Sequence, residues 1–221
     1  MKKGKIIQLI GVFGGTFNPV HNGHLLIAEE ARKRLKLDKV VFIPSSYPPH
    51  KKVSGLVSGC HRLNMVRLAI KDNPFFDSSD IEVKRGGKSY SIETIKQLKK
   101  SFKEGAEFYF IMGADSILEF MEWKEWKELL ELCNFVVTPR PGYELVGAGS
   151  KPALTLLKNK IRKILHNNAL ADKIIFLETG EFDISSTEIR EKIKNGESVN
   201  YFVPKRVFEY IYENGLYQKV S

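Results

Sequence analysis

The sequence predicts an α/β fold: a doubly wound parallel sheet with helices on both faces. Three observations carry this. Short runs rich in Val, Ile and Phe alternate along the chain with segments of helical periodicity. Repeated strand–helix units lay successive strands parallel. The most distinctive motifs each begin where a predicted strand ends, the edge at which such sheets bind ligands.

Taken in order, residues 5–13 form an apolar first strand, and residues 21–37 a helix whose Leu25, Ala28, Ala31 and Leu35 make one stripe. Residues 39–43, dense in Val and Ile, are the second strand, and in residues 63–70 the spacing of Leu63, Val66 and Ile70 gives a helix with one buried face. Residues 76–83 read as a third strand, 92–102 as a helix, 107–112 as a strand, 123–132 as a helix and 135–138 as a strand. Residues 139–152, with their Gly and Pro, read as a surface loop. Helix 154–165, strand 173–177 and helices 187–194 and 204–214 complete the chain, which shows no internal repeat or linker and reads as one domain over residues 1–221.

A length of 221 residues with 43% hydrophobic residues suits one domain with a real core and excludes a disordered chain. No apolar run approaches the roughly 20 residues of a membrane helix. Met1-Lys2-Lys3-Gly4 is basic, but a strand pattern follows it rather than a signal segment, so a cytoplasmic protein is expected. Cys60 and Cys133 lie far apart without a C-x-x-C partner and are expected to be reduced, Cys133 opening a buried strand. The net charge of +9 comes from lysines scattered along helical segments such as 96–103 and 158–163. They read as solvated faces rather than a nucleic-acid surface, and their field also suits a small polyanionic substrate.

The richest segment is Gly11-Val12-Phe13-Gly14-Gly15-Thr16-Phe17-Asn18-Pro19-Val20-His21-Asn22-Gly23-His24. Gly14 and Gly15 let the backbone approach a ligand closely, although a glycine pair alone is equally a plain tight turn. Free amides at the following helix start attract anions, and His21 and His24, three apart, face the same side of it. Neither the G-x-G-x-x-G fingerprint nor a P-loop lysine is present. Late in the chain, Ile184-Ser185-Ser186-Thr187-Glu188-Ile189-Arg190 has capping-box spacing between Ser185 and Glu188 and would start a helix on that ground alone. Its hydroxyls and amides also suit phosphate oxygens, with Arg190 placed to fork onto one.

Two further segments follow strands. In Pro44-Ser45-Ser46-Tyr47-Pro48-Pro49-His50-Lys51-Lys52 the prolines stiffen a loop, and His50 and Lys51 bring cationic donors to it. Met112-Gly113-Ala114-Asp115 ends a strand, with Asp115 either a helix cap or a polar ligand, and Trp123 either core or a flat stacking surface. His21, His24, His50 and His61 are four of the five histidines, but no H-E-x-x-H pairing marks a zinc site. No G-x-S-x-G elbow marks a serine hydrolase.

The first motif closely resembles the G-G-T-F-D/N-P-x-H-x-G-H signature of the nucleotidyltransferase superfamily, with Asn18 where many members carry Asp. The 184–190 string resembles the I-S-S-T/S-x-x-R motif that closes the triphosphate site in the same superfamily. The 44–52 loop resembles the P-x-x-x-P-P-H-K loop of bacterial nicotinate-nucleotide adenylyltransferases, a loop that phosphopantetheine adenylyltransferases typically lack. The resemblance covers most of the chain and implies a Rossmann-like nucleotidyltransferase fold. It implies adenylyl transfer from ATP to nicotinate mononucleotide, giving deamido-NAD and pyrophosphate in NAD biosynthesis, with Mg2+ travelling with ATP. On that resemblance Gly14, Gly15, Thr16, Phe17, His21 and His24 would hold ATP, together with Lys51, Ser185, Ser186, Thr187 and Arg190. His21, His24 and Arg190 would carry the catalytic contacts. His50, Ser89, Tyr90, Asp115 and Trp123 would bind the mononucleotide, Asp115 at its ribose and Trp123 against the pyridine ring. Backbone amides near Ser89–Tyr90 would do part of that work. Another adenylyl- or cytidylyltransferase of the superfamily is the first alternative, and a non-enzymatic nucleic-acid-binding protein the second. The oligomeric state is left open, a homo-oligomer included.

Overall fold

The computed structural model describes residues 7–47, 55–102, 105–138, 159, 162–177 and 183–219. Six parallel strands form one sheet: β1 (Gln8–Gly15), β2 (Lys39–Pro44), β3 (Phe76–Ser78), β4 (Ala106–Gly113), β5 (Asn134–Thr138) and β6 (Ile174–Phe176), in the order β3-β2-β1-β4-β5-β6. The chain winds outward from β1 in one direction and, after crossing back, from β4 in the other, so the strand order reverses between β1 and β4. Loops leaving these two strands diverge there and open a crevice.

Strand residues alternate between two cores, as a period of two requires. Phe13, Val40 and Phe42 face one side, which is covered by α1 (Asn22–Leu35), α2 (Gly59–Ile70), α8 (Ser186–Lys194) and α9 (Lys205–Glu213). Ile10, Val12, Val41 and Ile43 face the other, covered by α4 (Ser91–Ser101) and α6 (Trp126–Leu132). The predicted stripe of α1 holds: Ala28 and Ala31 are fully buried, and Leu25 and Leu35 pack at the margin of the same core. Leu63, Val66 and Ile70 of α2 are buried as expected. Cys133 is buried immediately before β5, and burial pushes its thiol up to about 12.

Besides an earlier start of α2, at Gly59 rather than residue 63, three differences from the sequence expectation bear on the site. The third strand stops at Ser78, and residues 81–83 belong to a short helix, α3 (Ile81–Arg85). The Ser79 hydroxyl accepts from the Ile81 amide and Asp80 pairs with Lys84, so a local side-chain turn and an i,i+4 pair outweigh the β-branched side chains. The helix predicted from residue 123 begins at Trp126: Trp123 ends a 3-10 turn (Phe120–Glu122), and Glu125 adopts a left-handed φ of 52°. The Gly14–Gly15 pair is the end of β1, in register with Ile43 and Pro44, rather than a turn. A short α5 (Ala114–Leu118) follows β4, and α7 (Asn168–Asp172) precedes β6. The predicted loop 139–152 and most of helix 154–165 lie outside the described residues, as do Lys5 and Ile6. Among the described residues, no helix is long and apolar enough to cross a membrane.

Candidate active site

The crevice is built first by what the glycines avoid. A Cβ on Gly14 would come within 3.2 Å of the Phe110 ring, and one on Gly15 within 3.0 Å of the Phe17 ring. Both glycines thus answer to packing. The turn itself falls on Phe17, at a φ of 48°. Phe17 is fully buried, edge-on to Phe13 at 5.6 Å and to His24 at 5.0 Å between ring centroids. Its side chain is the floor of the loop, so a contact from Phe17 to ATP would come from its backbone.

From this floor the chain enters α1 through the two histidines. Their rings stack with centroids 3.7 Å apart, and the His21 amide donates to His24 Nδ1 at 3.2 Å. A Cβ on Gly23 would stand 3.1 Å from His21 Nδ1, so the small residue between them lets the His21 ring lie flat. His21 is buried and His24 half-buried against Phe17, so the pair forms a fixed wall at the positive end of α1.

The start of α8 meets this wall from the other side. Ser185 caps the helix, its Oγ accepting from the Glu188 amide at 3.1 Å, which is half of the expected capping box. Ser186 donates its hydroxyl to the Pro19 carbonyl at 2.8 Å. Arg190 donates through Nη1 to the Asn18 carbonyl at 2.9 Å and through Nη2 to Thr187 Oγ1 at 3.3 Å. These bonds use only part of a five-donor guanidinium, which is thereby held in one orientation. Partial burial draws its pKa below the ordinary arginine value, although an arginine stays charged.

On the β2 side, Tyr47 and Lys88 form a parallel bridge and the Ser89 amide donates to the Tyr47 carbonyl at 3.0 Å. Ser89 is buried, its Oγ accepting from the Ser46 amide at 2.8 Å. Its amide and its Oγ are thus both engaged within the fold, which leaves neither as the donor expected for the mononucleotide. The donors left for an anion are those of the α4 start just beyond, at Ser91 and Ile92. Tyr90 flanks that start, with the Lys124 ammonium 4.8 Å from its ring centre. Trp123 is half-buried, edge-on to Phe110 at 5.9 Å, and so stands on the ring that underlies Gly14. Asp115 is the second residue of α5, directly after β4, and its side chain is not among those described. His50 and Lys51 lie outside the described residues.

Three polar residues that hold these parts together received no such role from the sequence, although Asn18 stands in its first motif. Arg62 of α2 is fully buried, and Asn18 and Glu82 nearly so. Burial lowers the Arg62 pKa and raises that of Glu82. The one signal for Arg62 was its position four residues before Val66, on the apolar face of α2, where a solvated arginine does not belong.

The cytidylyltransferase-like family model matches residues 12–192. A protein named probable nicotinate-nucleotide adenylyltransferase, from Thermoanaerobacter sp. (strain X514), is 44% identical over 95% of this chain and 94% of its own length. One of the same name from Geotalea daltonii is 45% identical over 94% and 97%. Among solved structures, the Plasmodium falciparum nicotinic acid mononucleotide adenylyltransferase complexed with NaAD superposes with a TM-score of 0.71. It shares 17% identity over 95% of this chain and 97% of that one, a likeness of fold.

Proposed function

The chain belongs to the cytidylyltransferase-like family and, within it, groups with the nicotinate-nucleotide adenylyltransferases; from that membership we infer that it transfers the adenylyl group of ATP to nicotinate mononucleotide, releasing pyrophosphate and forming deamido-NAD. The observation that carries the reading is the junction at Asn18–Pro19. There the starts of α1 and α8, the two phosphate-competent segments, are tied together by Arg190 and Ser186.

The phosphate of the mononucleotide attacks the α-phosphorus of ATP in line, and pyrophosphate departs. No protein nucleophile is needed, so catalysis consists of positioning and of neutralising the charge that grows on the leaving group. His21 and His24, at the positive end of α1, and Arg190, at the start of α8, face that charge. Thr16, Ser185 and Thr187 flank the phosphates, and Lys51 joins them from the β2 loop. The acceptor lies against Trp123 and the amides at the α4 start, with Asp115 and His50 completing its site. ATP enters as its magnesium complex, the ion held by phosphate oxygens and water in keeping with its hard-ligand chemistry. We assign the reaction to the cytoplasm.

The test is pyrophosphate release from ATP with three acceptors: nicotinate mononucleotide, nicotinamide mononucleotide and phosphopantetheine. Turnover is expected with the first and weaker turnover with the second. Turnover with phosphopantetheine alone would move the chain to another branch of the superfamily.

A further inference from the structure

We propose that Arg62 is a positioning residue that sets the separation of the ATP and mononucleotide half-sites through a buried polar relay, an inference that rests on the adenylyl-transfer reading above. Arg62 reaches three backbone carbonyls on two loops. Nη1 donates to Thr16 at 2.7 Å, Nη2 to Ser46 at 2.9 Å and Nε to Val57 at 3.1 Å. Thr16 belongs to the loop leaving β1, and Ser46 to the loop leaving β2. The guanidinium is thus the strut between the loop assigned to ATP and the one that leads to the acceptor.

The relay continues past Ser46. Its carbonyl is held by Arg62 and its amide by Ser89 Oγ, so this peptide is fixed from both sides. Glu82, a neighbour of Ser89, is held by Thr94, whose Oγ1 donates to it at 2.5 Å. The buried guanidinium is satisfied by the three carbonyls it reaches. From the Thr16 carbonyl, Arg62, the Ser46 peptide and Ser89 therefore link the loop that leaves β1 to the approach of α4, and Arg62 itself contacts no substrate.

Planarity makes the arrangement specific. Three carbonyls spread around one guanidinium match a rigid fork, which a lysine ammonium on a flexible stem does not reproduce. In-line transfer between two bound substrates is sensitive to about 1 Å of misplacement, which costs on the order of 10²-fold in rate. Loosening the strut therefore acts on kcat, because each substrate still finds its own half-site.

The experiment measures kcat, the KM of ATP and of nicotinate mononucleotide, and thermal stability for the wild-type protein, Arg62→Lys and Ser89→Ala. Arg62→Lys keeps the charge and loses the fork; kcat is expected to fall by about 30-fold or more, with both KM values within about threefold. Ser89→Ala cuts the relay from the other side, with the same split and a smaller fall in kcat. If Arg62→Lys does not fold, Ser89→Ala decides. Unchanged kcat per folded molecule, or KM values that rise while kcat is kept, would overturn the proposal and assign Arg62 to stability alone. A wild-type protein that does not turn over these substrates removes the functional reading and this inference together. Wild-type turnover with unaffected variants removes only the relay.

Discussion

The phenol of Tyr217 donates to the side-chain oxygen of Asn18 at 2.9 Å, joining residues 199 positions apart. The same oxygen accepts from the Val57 amide at 3.3 Å, and the Asn18 amide group donates to the Gly55 carbonyl at 3.1 Å. The Asn18 main-chain carbonyl receives Arg190. The C-terminal tyrosine is thereby coupled, through one buried asparagine, to the arginine assigned to the triphosphate. The neutral amide suits this chain because it uses donor and acceptor together. An aspartate in its place would turn an oxygen toward the Gly55 carbonyl.

Tyr217→Phe removes one hydroxyl and leaves the Val57 amide as a donor to Asn18 Oδ1. The expected cost in stability is about 1 kcal/mol. The KM of ATP should rise several-fold while that of the acceptor stays unchanged. Thermal melts and steady-state kinetics check this, and equal effects on both substrates would break the link to Arg190.

Arg190→Lys retains the charge but gives up the planar fork that spans Asn18 and Thr187. ATP utilisation should fall by at least about tenfold, the scale of a lost charged hydrogen bond, with acceptor KM little changed. Bisubstrate kinetics separate the two.

His24→Ala deletes the ring stacked on His21 and the acceptor for the His21 amide. If this ring meets the phosphates in the transition state, kcat should drop by about 10²-fold or more. The lost cap accounts for only about 1 kcal/mol of stability. A folded variant with near-normal kcat would remove His24 from the mechanism.

Trp123→Ala takes away a partner of Phe110 and Phe120 as well as the proposed surface for the pyridine ring. The KM of the acceptor should rise about tenfold, on the scale of one lost aromatic contact, with that of ATP unchanged. Trp123→Phe should recover most of the loss.

Glu82→Gln tests the buried carboxyl. Burial raises its pKa, so the folded protein holds the proton more tightly than the unfolded chain does. Its stabilising contribution is therefore full below the ordinary carboxylate range and declines as pH rises through the raised value. The glutamine variant should lack that decline, so urea melts should show its stability relative to wild type improving between pH 4 and pH 8. A constant difference across that range would mean that Glu82 does not titrate abnormally.

The strand–helix alternation, the stripe of Ala28 and Ala31, the Ser185 cap and the starts of α1 and α8 are all legible in the sequence, because each depends on contacts within a turn or two of chain. Tertiary structure decided the rest. Gly14 and Gly15 turned out to make room for Phe110 and Phe17, and the left-handed turn fell on a buried phenylalanine, since only the packed sheet shows what lies under a strand end. Residues 81–83 are helical, with a turn closed by the Ser79 hydroxyl and an Asp80–Lys84 pair set against their strand propensity. Arg62, Asn18, Glu82 and Tyr217 could not be assigned from spacing, because their partners are carbonyls, amides and hydroxyls brought together from remote segments. Local periodicity specifies which face of an element turns inward; which buried polar groups then meet is a property of the assembled fold.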